Sequence, residues 1–193
     1  SRRCAAKAER QMATARLDEL AAIESAWWRA LAQAAAGRDH AWRQAVLATI
    51  DGDRADARTV VLREVNRAER TISIFTDERS PKVRQIVSHP HGTLVTWSET
   101  LGWQLRLAVR MELETAGLAV SSRWARLKMT PGAHDYLSPL PPGSPLDRPA
   151  PERGTREYFA VLTATVLAVD WLELHADGHR RAVFDAKGRR WVA

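Results

Sequence analysis

The sequence predicts an α+β protein, mainly antiparallel β and barrel-like, with one helix ahead of the strands and two helices inserted among them. Three observations carry that prediction. Residues 5–36 are Ala-rich and free of Gly and Pro, and Leu20, Ile23, Trp27 and Leu31 recur at three- and four-residue steps, which makes one apolar stripe on a helix. From Ala41 the pattern changes to short β-branched runs separated by turn residues. Between Trp103 and Leu113, Trp103, Leu105, Leu107, Val109, Met111 and Leu113 alternate with mostly polar neighbours without a break, as a strand with one face in a core must.

The elements follow in order. Gly37 stops the first helix. Ala45–Ile50 is an apolar strand, and Asp51-Gly52-Asp53 turns the chain. Arg58–Val65 and Thr71–Thr76 form a hairpin across the polar residues Asn66–Arg70. Ser80-Pro81 begins a short helix, with Ser as N-cap and Pro in the first turn, and His89-Pro90 ends it. Thr93–Trp97 and Trp103–Leu113 are strands, and residues 117–129 read as helix. Seven of the nine prolines then fall between Pro131 and Pro151, and a loop this long inside a compact domain is often functional. Tyr158–Val169, Trp171–His175 and Arg180–Phe184 are read as three further strands, with a last one at Arg189–Val192. The chain divides into an N-terminal helical extension, 1–40, and a barrel domain, 41–193, with no repeat and no linker between them.

Composition narrows the function classes. The net charge is +6, but residues 1–10 hold four basic and one acidic side chain, and residues 179–193 five basic and one acidic. The body between them is nearly neutral, which argues against a nucleic-acid-binding adaptor. Cys4 is the only cysteine, so an internal disulfide framework and a cysteine-based zinc site are excluded. The six histidines are scattered, and no metal site is expected. No run approaches the ~20 apolar residues of a membrane span, and no apolar segment follows the basic N-terminus, so the expectation is a cytoplasmic protein without membrane contact.

Four segments carry a family resemblance. Phe75-Thr76-Asp77-Glu78-Arg79-Ser80-Pro81-Lys82 resembles the segment of pyridoxamine 5′-phosphate oxidases in which an aromatic-Thr pair ends a strand and runs into a Ser-x-Lys helix start. Upstream, Arg58-Thr59-Val60-Val61-Leu62-Arg63 resembles that family's Arg-x-x-x-Leu-Lys strand. Gln104 sits in a long alternating strand, as the family's flavin-contacting Gln does, and Trp171 followed by His179-Arg180-Arg181 resembles its Trp…His-Arg element. The segments keep the family's order and spacing over roughly residues 41–192. The stretches Phe159–Leu162 and Val169–Leu174 look closest to a related FMN-binding branch rather than to the vitamin B6 oxidases themselves.

The resemblance implies an FMN-binding split β-barrel and a homodimer with FMN at the subunit interface. It implies cofactor contacts from Arg58, Val60, Leu62, Arg63, Phe75, Thr76, Ser80, Lys82, Gln104, Ser138 and Trp171. It also implies substrate contacts from Arg63, Arg180 and Arg181, and a C-terminal tail beyond Ala193. Physical chemistry supports an anion at one of these places on its own. Lys82 lies in the first turn of a helix, where the dipole disfavours a cation unless an anion is held there, and Arg58 stands across the hairpin.

Departures from the family concern the substrate. Arg63 replaces a Lys and brings a planar fork in place of a point charge. The element after His179-Arg180 has no second His, and the helix near Trp124, Arg126 and Lys128 has no secure match for the family's phosphate-binding Tyr and Arg. The expected function is an FMN-dependent oxidoreductase of unidentified small-molecule substrate, with pyridoxamine 5′-phosphate a poor one. The alternative is a flavin carrier or reductase without vitamin B6 chemistry.

Overall fold

A computed structural model of the chain describes residues 16–37, 39–147, 154 and 157–193. Its elements are α1 (Leu20–Ala36), β1 (Gln44–Asp51), β2 (Arg54–Asn66), β3 (Thr71–Asp77), α2 (Pro81–Ser88), β4 (His91–Ser98), β5 (Trp103–Glu114), α3 (Leu118–Leu127), β6 (Phe159–Glu173), β7 (Arg180–Asp185) and β8 (Gly188–Val192). Short 3-10 turns cover Ala41–Arg43 and Pro131–Tyr136. The part of the predicted first helix before residue 16, the basic N-terminal segment and Cys4 lie outside the described residues.

All strand pairs are antiparallel, in the order β3-β2-β1-β4-β5-β6-β7-β8, and β3 also pairs with β6. The first six strands of that order therefore close into a ring. β6 makes this possible by dividing one edge. Its first half, Phe159–Thr165, bonds β3, and its second half, Val169–Glu173, bonds β7, while the other edge runs along β5. The fold is thus the mainly antiparallel, ring-like sheet with a few helices that the sequence predicts.

One prediction is corrected. Tyr158–Val169 and Trp171–His175 are not two strands but one, Phe159–Glu173. A β-bulge explains the misreading. The register along β5 skips Leu167, since Ala108 faces Ala168 while Val109 faces Val166. Buried positions accordingly change parity, from Ala160, Leu162, Ala164 and Val166 to Val169, Trp171 and Glu173. A strand that changes parity reads in sequence as two strands.

The helix α1 belongs to the same core as the sheet. Ile23, Trp27 and Leu31 are fully buried, as their spacing predicts, and they join Leu47, Leu62, Leu105 and Trp171 in one cluster. Gly37 ends α1 with extended backbone rather than a left-handed turn. A second, smaller cluster gathers Val120, Leu127, Tyr136, Phe159 and Val161, with Phe75 and Trp124 packed on it. It fastens α3 and the start of the Pro-rich loop to the end of the ring where β3 meets β6. No described helix is long and apolar enough to cross a membrane.

Candidate functional site

The site is built where β3 hands over to α2. Thr76 is buried at the end of β3, and Ser80 is buried at the N-cap of α2. Ser80 does not cap the helix with its side chain, contrary to its usual use. Its hydroxyl instead lies 3.2 Å from that of Thr76, and both accept hydrogen bonds from Lys82 Nζ, at 3.1 and 3.0 Å. Lys82 is half-buried, and no carboxylate lies within ion-pair distance of it among the described residues. Burial, with the charge of Arg58 adding to it, holds the Lys82 amine below the ordinary lysine range, and Asp77 opposes the shift.

Arg58 is fixed from the other side. Thr49 and Asp56 lie opposite one another in the β1–β2 register, next to Arg58. The Arg58 guanidinium pairs with Asp56 and donates to Gln85 Oε1 at 2.9 Å, while Gln85 Nε2 donates to Asp56 at 2.8 Å and Thr49 to Gln85 at 2.6 Å. The Gln85 hydrogen bond, followed by the charge of Arg58, holds the Asp56 carboxyl below its usual value. Asp77, the other nearby acid, is engaged by Arg79 at 2.7 Å. Arg79 also donates to the backbone carbonyls of Ser138 at 2.8 Å and Pro139 at 3.3 Å, so it ties the Pro-rich loop to the start of α2.

Thus Arg58, Thr76, Ser80 and Lys82 come together, as the sequence implies. The other members of the predicted set fall elsewhere. Val60 and Leu62 are buried with their side chains in the main core, which leaves only backbone for a ligand. Trp171 is also fully buried in that core, edge-on to Trp103, so its ring is a packing element and does not cover a ligand surface in this chain. Ser138 comes near the site through Arg79, but its hydroxyl donates to Leu140 of its own loop at 2.9 Å. Phe75 packs on Phe159 and lies under the Arg63 guanidinium, 5.5 Å from ring centre to Cζ.

Gln104 pairs with Leu172, and Leu172 with Arg181, at the far end of β6 from the position of Thr76 opposite Ala160. Twelve residues of strand separate the two places, about 40 Å along the chain at ~3.3 Å per residue. The two places therefore lie at opposite ends of β6 within one chain. Arg180 and Arg181 are both committed there. Arg180 pairs with Glu173 and Asp18, each at 2.8 Å, and Arg181 bonds Asp170 at 2.9 Å.

Sequence reasoning missed Thr49, Asp56 and Gln85, which hold Arg58, Asp77, which holds Arg79, and Tyr136. The Asp77/Arg79 spacing ahead of a helix was a usable signal, because such an Asp closes a turn on the backbone N–H two residues on, here at 2.8 Å. Gln85 had none, since its role exists only once α2 packs on β1.

Residues 24–114 match the family described as pyridoxamine 5′-phosphate oxidase, FMN-binding domain. The chain is 29% identical over 157 residues to a pyridoxine/pyridoxamine 5′-phosphate oxidase of Granulibacter bethesdensis, covering 70% of this chain and 71% of that one. In fold it is similar to an FMN-binding protein related to pyridoxamine 5′-phosphate oxidase from Nostoc punctiforme, with a TM-score of 0.70, 22% identity, and 88% and 95% of the two chains covered. It is also similar to PhzG of Burkholderia lata, solved with tetrahydrophenazine-1-carboxylic acid, with a TM-score of 0.69, 16% identity, and 95% and 94% covered.

Proposed function

From the resemblance of this chain, in sequence and in fold, to the pyridoxamine 5′-phosphate oxidase-like FMN-binding split barrels, we propose that it binds FMN and acts as an FMN-dependent oxidoreductase. The observation that carries the proposal is Lys82, a half-buried ammonium whose bonds go to two neutral hydroxyls and to no carboxylate. A cation in that position is poorly compensated until an anion arrives. Arg58 stands beside it, already oriented by Asp56 and Gln85, and no side chain caps α2. The donors fit a phosphate monoester: one ammonium, one guanidinium, two hydroxyls and the positive end of a helix.

Bound FMN would supply the two-electron redox chemistry, and the protein's task is capture, orientation and exclusion of water. Arg58, Thr76, Ser80 and Lys82 hold the phosphate end. Gln104, at the other end of β6, is suited to the ring edge because an amide both donates and accepts. A second copy of the chain resolves the 40 Å separation by bringing its own Gln104 end to the Lys82 end of the first. The outer sheet face offers a surface for that pairing: Val46 and Trp97 are 43% and 44% exposed, Val95 lies opposite Val46, and Trp97 lies opposite Gln104.

The test is a fluorescence-quenching titration with FMN and with riboflavin, accompanied by light scattering. The expected outcome is FMN binding at least tenfold tighter than riboflavin, in a particle of about twice 21.6 kDa. Equal affinity for the two flavins overturns the phosphate clamp, and a monomer that holds FMN tightly overturns the paired site.

A further inference from the structure

Arg63 differs from most of the half-buried arginines among the described residues. Arg16, Arg58, Arg79, Arg180 and Arg181 each pair with a carboxylate. Arg63 does not. Its guanidinium lies over the face of Phe75 and hydrogen-bonds the neutral phenol of Tyr136, and its Nε is buried with no hydrogen-bond partner. Burial keeps the Tyr136 phenol above its ordinary pKa, against the pull of the Arg63 charge, so that oxygen offers no negative charge either. The placement comes from the backbone. The β2–β3 register passes from Leu62 opposite Ile74 to Glu64 opposite Ser73, which leaves Arg63 as the extra residue of a β-bulge. A bulge re-aims one side chain out of the alternation of its strand.

Arg63 lines a cleft of about 650 Å³ between β2, the residues after α3 and the connection from α1 to β1. The cleft is apolar at Val61, Leu127 and Pro131, and its charged lining consists of Arg63, Arg43 and Asp39. Arg43 already donates to the carbonyls of Ala34, Ala35 and Gly37 at the end of α1. The α3 arginines lie outside the lining, where Arg123 at 2.6 Å and Arg126 at 3.3 Å share Glu64. The lining therefore carries one net positive charge and one guanidinium, that of Arg63, that no carboxylate of the described residues answers. That suits a planar monoanion, and it undersupplies a phosphate monoester, which carries close to two negative charges and needs several charge-assisted bonds.

We propose that the substrate of this protein bears a carboxylate on an apolar or aromatic body, and that Arg63 receives this carboxylate in the cleft. The proposal rests on the FMN reading for the word substrate, since Arg58 and Arg63 stand five residues apart on β2, about 17 Å along the strand. An anion at Lys82 leaves Arg63 free for a second, different one.

The probes are 4-fluorobenzoate and 4-fluorophenyl phosphate, followed by 19F NMR titration against the protein with and without FMN. The expected result is tighter binding of the benzoate than of the phosphate, with a tenfold or greater loss of benzoate affinity in Arg63→Gln that exceeds any change in FMN affinity. Arg63→Lys, which keeps the charge but not the fork, is expected to lose an intermediate amount, and a thermal melt of each variant verifies folding. Asp39→Asn raises the net charge of the lining and is expected to move the preference towards the phosphate by at least threefold. Tighter binding of the phosphate by the unaltered protein, or benzoate binding indifferent to Arg63→Gln, overturns the proposal. Loss of FMN binding in Arg63→Gln with benzoate binding retained also overturns it, by making Arg63 a cofactor residue. If the protein binds benzoate through Arg63 but never binds FMN, the carboxylate site stands and the FMN reading falls.

Discussion

The two ends of β6 are both rich in basic side chains, and they treat them in opposite ways. At the Glu173 end, one buried carboxylate receives Arg16 at 2.7 Å, Arg180 at 2.8 Å and Trp103 Nε1 at 3.3 Å, and Asp18 takes the other side of Arg180. At the Thr76 end, Lys82 has hydroxyls and Arg58 has a partly solvated Asp56. The first arrangement is electrostatically closed and works as a structural fastening between α1, β6 and β7. The second is open and becomes complete only with an anion. Density of basic residues therefore says little about where an anion binds. What matters is whether a carboxylate of the same chain has already answered the cation.

Removing the central acid should separate the two ends most sharply. Glu173→Ala leaves two arginines without their shared partner, and breaking a buried ion pair from one side costs about 3 kcal/mol, at the low end of the known range because both arginines reach solvent. The expected outcome in urea unfolding is a midpoint shift of that size, with FMN affinity of the folded protein changed less than threefold. A stable variant that has lost FMN would reverse the assignment of the two ends.

Lys82→Ala should do the converse. A charge-assisted hydrogen bond contributes about 1.5–3 kcal/mol, so FMN affinity should fall roughly ten- to a hundredfold. Riboflavin affinity should stay within a factor of three, and unfolding should change little, because the half-buried amine is not compensated in the free protein. Equal losses for FMN and riboflavin would mean that Lys82 serves the fold and not the phosphate.

The smallest effect sharpens the contrast through pH. Burial and Arg58 depress the Lys82 amine below the ordinary lysine value of 10.5. The unfolded chain then holds more protons between the folded and unfolded pKa values, so this group makes the free protein more stable as pH rises through that window. Phosphate binding needs the protonated amine, so FMN affinity should fall on the same alkaline side, and the fall should be absent in Lys82→Gln. At the other end, burial raises the Glu173 carboxyl, but hydrogen bonds from Arg180, Arg16 and Trp103 outweigh it and hold it below 4.5. That stabilisation is present above the unfolded value and is lost as pH falls through the folded one. Acid should therefore loosen the Glu173 end, whereas alkali releases ligand from the Lys82 end. An FMN affinity that stays flat through the alkaline range in which the Lys82 amine loses its proton would remove Lys82 from the clamp.

Much of the fold was legible because apolar alternation is a local signal. Trp103–Glu114 alternates as a strand half in a core should, and of the Leu20, Ile23, Trp27, Leu31 stripe the last three are fully buried and Leu20 partly so. Legibility failed where the period itself changes, as at Leu167, where the bulge makes one strand look like two. At the site, Lys82 and Arg58 were readable from their positions at a helix start and a strand. Whether a cation is free was not readable, because it depends on partners far along the chain: Glu173 for Arg16, Gln85 for Arg58, Glu64 for Arg123. Trp171 shows the same limit from the other side. A Trp next to a His-Arg element resembles a ligand contact, but in this chain strand parity turns its ring into the core.

The divided edge of β6 also bears on how the chain is made. β3 is synthesised early, and its closing partner, Phe159–Thr165, comes only after α3 and the whole Pro-rich loop. While the chain emerges from the ribosome, β2 to β5 can pair, but β3 and β5 both present unbonded edges until β6 arrives and fills the gap between them. A pairing so distant in sequence is slow to form, and open strand edges are templates for association with other chains. The vulnerable species for this protein is therefore the nascent sheet lacking one strand. Translation stalled or truncated in the Pro-rich loop should yield aggregation rather than a smaller folded domain.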